Sequence, residues 1–271
     1  MQRLTMLAAA AVLASAANAY GAGLILNEFN AVGEGKLISS GDTTFGSKAG
    51  NGGNWIELVV TQDHLDITGW TFQWDNVDPD AGSVTFTNNA LWTDLRSGTI
   101  ITLREDDTGD PGSPVGHRAS DTSFNPFGND WWIEINVDDA PYMIKSGFKV
   151  DNDDWRGRIV DDAAVVQQGY VGEGAGAPWS GGGISSTEAG ALGANPTAVN
   201  PLTGYRDVTF SSYGQPNLIS PGVYQDFTSL RAAVVPEPGS MFLAAIAGCG
   251  AALWGVRAKQ RQIRTVLAAC A

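Results

Sequence analysis

Gly69-Trp70-Thr71-Phe72-Gln73-Trp74 is the stretch that decides the fold. Trp70, Phe72 and Trp74 fall on one side of an extended chain and Thr71 and Gln73 on the other, the alternation of a strand with one buried and one wetter face. The same period of two returns at 24–29, 55–60, 83–87, 99–103, 131–137, 157–160 and 163–166. Each run is rich in β-branched or aromatic residues and is bounded by Gly, Asn, Asp or Pro. No amphipathic helical pattern lies between these runs, so the series predicts an all-β sandwich rather than an alternating α/β fold.

The two ends of the chain read differently from its middle. Arg3 gives a positive start, residues 4–16 an apolar stretch too short to span a membrane, and Ala17-Asn18-Ala19 a small-residue cleavage site. That pattern predicts a signal peptide over 1–19, with Tyr20 as the first mature residue. Near the other end, Pro236 and Pro238 forbid a helix before Gly239, because proline lacks the amide donor and restricts the residue before it. Residues 239–256 then carry no charge and read as a short spanning helix of roughly 25 Å. Arg257, Lys259, Arg261 and Arg264 follow, a basic end that stays cytoplasmic and places everything before Pro236 outside.

Between these ends lie all 29 acidic residues and only 11 of the 16 basic ones, a net charge of −18 for the part expected to be exported. Such a field repels nucleic acid and anionic membrane surfaces, which argues against either as a partner of the exported part. Both cysteines, Cys249 and Cys270, lie beyond Pro238, so the exported part has no internal disulfide and depends on its core, a metal, or both. About 200 residues suffice for one sizeable domain.

Pro236-Glu237-Pro238, the apolar run and the basic cluster, in that order, resemble the PEP-CTERM sorting signal of exported bacterial proteins. The resemblance implies recognition by an exosortase, a membrane-embedded transpeptidase-like protease, and delivery to the cell surface or extracellular matrix. It also implies a bacterium that makes exopolysaccharide, and with it a matrix polysaccharide as a partner, alongside other surface proteins. Members of the family end soon after the basic cluster, whereas this chain continues to Ala271.

Three further pieces, Asn27-Glu28-Phe29, Asn54-Trp55-Ile56-Glu57-Leu58 and Leu65-Asp66-Ile67-Thr68-Gly69-Trp70, together with the closing Tyr213-Gly214-Gln215-Pro216-Asn217, resemble the lamin-tail domain. That resemblance implies an immunoglobulin-like β-sandwich over 20–218, followed by a linker over 219–238, the membrane helix over 239–256 and a basic tail over 257–271. Residues 106–128 and 169–194 read as insertions into the domain. Gly69 permits a turn into a strand, Trp55 and Trp70 read as core anchors, and Glu57 is expected to face outward or cap a neighbouring loop.

Chemistry-bearing motifs are sparse. His64 and His117 stand in no metal-ligand spacing, there is no Gly-x-Ser-x-Gly elbow, and Gly181-Gly182-Gly183 lacks the lysine and helix of a phosphate cradle. Oxygen ligands of the kind Ca²⁺ takes are concentrated at Asp75, Asp78 and Asp80, at Asp106, Asp107 and Asp110, and at Asp151, Asp153 and Asp154, although none of these loops has the EF-hand glutamate. The expectation is therefore a non-enzymatic surface or matrix protein. A surface hydrolase and a calcium-dependent adhesin are the alternatives.

Overall fold

The computed structural model describes residues 22–76, 80–105, 119–173, 183–197 and 202–232. Thirteen strands run through these residues: β1 (Leu24–Asn30), β2 (Trp55–Val60), β3 (Thr71–Asp75), β4 (Ala81–Phe86), β5 (Ile100–Arg104), β6 (Trp132–Asn136), β7 (Met143–Lys145), β8 (Arg156–Val160), β9 (Val166–Gly172), β10 (Ala189–Leu192), β11 (Tyr205–Val208), β12 (Leu218–Ser220) and β13 (Val223–Tyr224). A one-turn helix, α1 (Thr228–Arg231), follows them.

The deciding stretch folds as its alternation predicts. Phe72 and Trp74 of β3 are buried, as is Trp70 just before it, while Thr71, Gln73 and Asp75 are half-buried. Gly69 makes the turn with φ +76°, and a Cβ there would come within 3.0 Å of Asp162. Its amide donates to Phe86 O, so the turn is tied to β4 before β3 begins.

Two sheets carry the architecture. One has the order β11-β10-β1-β2-β5-β6 and the other β7-β4-β3-β8-β9. All neighbours are antiparallel except β5 and β6, which run parallel. One core joins the sheets, with Leu26, Phe29, Ile56 and Leu58 from the first meeting Phe72, Trp74, Phe86 and Ile159 from the second. Trp155 lies at its centre, 4.5 Å from the Phe29 ring and stacked at 6.1 Å on Phe72. Burial of each such side chain stabilises the fold by roughly 1.5 to 3 kcal/mol. The protein is thus an all-β sandwich among its described residues.

A bulge at Asn27 breaks the β1–β2 register, since Leu26 opposes Leu58 while Glu28 opposes Glu57. The Leu26 backbone finds its partners elsewhere. Its amide donates to Gln168 Oε1 of β9 at 2.7 Å, and its carbonyl accepts from the Tyr205 hydroxyl. This ties the two sheets together at the bulge, where a buried backbone group left unpaired would be costly.

Three expectations need correction. The stretch 163–166 is not a strand: Asp161 accepts from the amides of Ala163 and Val165, Ala164 turns with φ +61°, and β9 starts only at Val166. The stretch 169–194 is not simply an insertion, since it holds most of β9 and the interior strand β10. Ala-Gly-Ala-Leu carries no strand signature because the Phe29 ring lies across Gly190, where a Cβ would come within 2.1 Å of it. The packed domain also continues past Leu218, with Gln225 and Phe227 buried. The signal peptide over 1–19, the helix over 239–256 and the tail over 257–271 lie outside the described residues, among which no helix is long and apolar enough to cross a membrane.

Candidate functional site

Glu28 and Glu57 begin a row of polar residues that crosses the six-stranded sheet. Glu28 opposes Glu57, Glu57 opposes Thr102 of β5, and Thr102 opposes Glu134 of β6. Alternation along β2 sends Ile56 and Leu58 into the core and turns Trp55 and Glu57 to the other face. Both glutamates are nonetheless fully buried. The segment that covers them comes from the far end of the domain.

That cover is made by Ser211 to Asn217. Asn27 Nδ2 donates to Glu57 Oε1 at 2.7 Å and the Gly214 amide to Glu57 Oε2 at 2.9 Å. Ser212 Oγ donates to Glu28 Oε2 at 3.1 Å. Asn217 Nδ2 donates to Asn27 O at 2.9 Å, and Gln225 Nε2 to Asn27 Oδ1 at 2.9 Å. At the other end of the row, Glu134 Oε1 accepts from Tyr213 Oη at 2.8 Å and from Arg104 Nε at 2.7 Å, a buried ion pair. Phe45, Trp55 and Trp132 surround the Tyr213 ring, with centroids 4.7, 5.0 and 5.8 Å away.

The motif pieces at 27–29, 54–58 and 213–217 therefore meet, each satisfying polar atoms of another. Trp55 is buried as expected, but in this outer layer, with its Nε1 donating to Asn51 O at 2.9 Å. Trp70 belongs to the core between the sheets. Glu57 caps a neighbouring loop, and is shut from solvent while doing so.

Burial raises the pKa of Glu28 to about 8, with the nearby Asp42 carboxylate adding to the effect. Burial and then Glu28 itself push Glu57 well above the usual carboxylate range. Two carboxyls so placed titrate as a unit and hold a proton between them at neutral pH. Asp42 is fixed by the amides of Thr44 and Phe45, at 2.6 and 2.8 Å, and by the Ser211 hydroxyl. The arrangement orients a loop, and its sealed carboxyls offer a substrate no approach. Asp42, Ser212, Glu134 and Gln225 were not singled out by sequence, since a lone polar residue in a loop or at a strand position gives no sign of a distant partner.

The acidic loops are engaged by cations of the protein itself. Arg156 holds Asp75 through two nitrogens, at 2.6 and 3.3 Å. Asp151 and Asp80, from loops far apart in sequence, share Lys149, at 2.9 and 3.7 Å from its Nζ. Asp153 is exposed, Asp154 is half-buried with φ +50°, and Asp78, Asp106, Asp107 and Asp110 lie outside the described residues. Among the described residues no group of three or more His, Cys, Asp or Glu is placed to hold a metal ion. His64 is exposed, 2.6 Å from Asp94, and His117 lies outside the described residues. Ala17 and Ala19 of the expected cleavage site, and Pro236, Glu237, Pro238, Arg257, Lys259 and Arg261 of the expected sorting signal, lie outside them as well.

A comparison of the chain with protein-family models and with curated proteins gives no match in either.

Proposed function

We propose that this is an exported bacterial cell-surface or extracellular-matrix protein whose sandwich, immunoglobulin-like and of lamin-tail type, has a binding or structural role rather than a catalytic one. In this reading the signal peptide over 1–19 directs export, the helix over 239–256 holds the precursor in the inner membrane, and an exosortase acts at Pro236-Glu237-Pro238. The observation that carries the domain reading is the mutual locking of Asn27, Glu57, Gly214 and Asn217, residues of three motif pieces up to 190 positions apart. The sorting reading rests on the order of Pro-Glu-Pro, apolar run and basic cluster.

The test is to replace Pro236-Glu237-Pro238 with three alanines and fractionate the cells. Export should persist, because the signal peptide is separate, and the protein should stay in the inner membrane instead of being released. Release of a shortened form at the wild-type level would overturn the sorting reading.

A further inference from the structure

Arg231, at the end of α1, is a half-buried guanidinium with no carboxylate partner among the described residues. Its Nε and Nη2 donate to Gly98 O, at 3.2 and 3.1 Å, and its charge lies 4.8 Å over the Trp131 ring and 5.0 Å over Phe227. Burial lowers its pKa, and among the described residues no carboxylate pairs with it to offset the effect. Arg96, Arg104, Lys145, Lys149 and Arg156 each sit against a carboxylate, whereas Arg158 and Arg206, like Arg231, hydrogen-bond to neutral oxygens. What distinguishes Arg231 is that it is half-buried against two aromatic rings and opens onto a groove, where an anion brought from outside can reach it.

The surroundings specify which anion. Arg231 lines a groove of about 690 Å³ between the turn at 126–131 and the segment 225–232. Trp131, Phe227, Pro216 and Phe127 give it flat apolar walls, and Phe127 stands 80 % exposed at its lip. A second depression of about 220 Å³ shares Trp131, Pro216 and Arg231, which extends the groove toward Gly214 and Gln215. Volumes of this size suit a ligand of a few rings. A guanidinium lying on an aromatic face presents its edge to a planar carboxylate. Exposed aromatic rings beside it suit a ligand that has an apolar ring face as well as polar edges. Asp226, held at the rim by the Thr228 amide at 2.8 Å, accepts hydroxyl donors and repels a second carboxylate close to the first.

We propose that this groove binds an acidic polysaccharide, with one uronate ring against Phe127 and Trp131 and its carboxylate on Arg231. The proposal names a ligand for the exported binding module inferred above, and rests on that reading for where the ligand is met. An acidic peptide carries its carboxylates on flexible stems with no ring face to match the walls, and is the competing occupant.

The full chain, purified in mild detergent, is titrated by calorimetry with oligogalacturonate, with a neutral galactan of the same length and with poly-glutamate. Oligogalacturonate should bind saturably and at least ten-fold more tightly than either of the others, at an ionic strength high enough to screen its repulsion from a domain with 18 excess negative charges and from Asp226 and Asp130 in the lining. Arg231→Gln should weaken it at least ten-fold. Because Arg231 also ties α1 to Gly98, Phe127→Ala is the second variant: the exposed ring contributes little to folding, so binding should fall several-fold while the melting temperature stays unchanged. No binding of oligogalacturonate, equal binding of poly-glutamate, or wild-type affinity in both variants would overturn the proposal. This result is independent of the Pro236-Glu237-Pro238 fractionation, so failure of one is distinguishable from failure of the other.

Discussion

Glu28 and Glu57 stand directly opposite one another on β1 and β2, both fully buried, under a loop whose Gly214 amide and Ser212 hydroxyl hydrogen-bond to them. Two neighbouring carboxyls in a low-dielectric layer cannot both ionise without strong repulsion. The folded protein therefore retains a proton that the unfolded chain releases at ordinary carboxylate pH.

The sign of the pH dependence follows. Because the folded-state pKa values are raised, with Glu28 near 8, the stability these groups contribute is complete below the ordinary carboxylate range and is lost as pH rises toward 8. Urea titration between pH 5 and 9 should show the sandwich weakening progressively from pH 5 to about 8, by a few kcal/mol at most. Glu28→Gln, which keeps the shape but cannot ionise, should flatten that decline. If the variant falls as steeply as the wild type, the decline comes from the general excess of negative charge and not from this pair.

Gly214 tests the loop itself. It turns with φ +71°, its amide serves Glu57, and a Cβ there would come within 2.6 Å of the Trp132 ring. Gly214→Ala should cost about 2 to 4 kcal/mol, from crowding of a packed aromatic and from backbone strain. A loss below about 1 kcal/mol would mean the loop is not pinned where it lies.

Lys149 lies between two of the loop carboxylates, Asp80 and Asp151. Since its ammonium already bridges Asp80 and Asp151, a Ca²⁺ ion binding there has to displace it. Lys149→Gln should therefore increase the rise in melting temperature produced by millimolar Ca²⁺, and Asp151→Asn should abolish the increase. The controls are NaCl and MgCl₂ at matched ionic strength, because screening alone relieves self-repulsion. Equal stabilisation by all three salts in every variant would leave only a general charge effect.

Much of the sandwich was legible in the sequence: alternating burial writes itself into Trp70, Phe72 and Trp74, and β1, β2 and β5 stand out as apolar runs, although every residue in those three strands is buried, on both faces of the sheet. Strand β10 was not legible, since its Ala-Gly-Ala-Leu is shaped by the Phe29 ring across the register and not by strand propensity. Gln225 and Phe227 were likewise hidden: two buried residues in a polar segment form no periodic pattern, and their partners are far off in sequence. Asn27, Glu57 and Gly214 stood out as motif residues, but that they touch one another depends on the bulge at Asn27 and on a covering loop about 160 residues beyond Glu57. No local signal reports such a contact.

The central claim, export followed by sorting at the C-terminal motif, is tested most directly by mass spectrometry of the protein released from the cell surface. Cleavage after Ala19 and near Pro236-Glu237-Pro238 predicts a chain that starts at Tyr20 and ends at or close to that motif, lacking the residues from Met241 onward. A released protein that still carries Met1, or one that extends intact to Ala271, would contradict it.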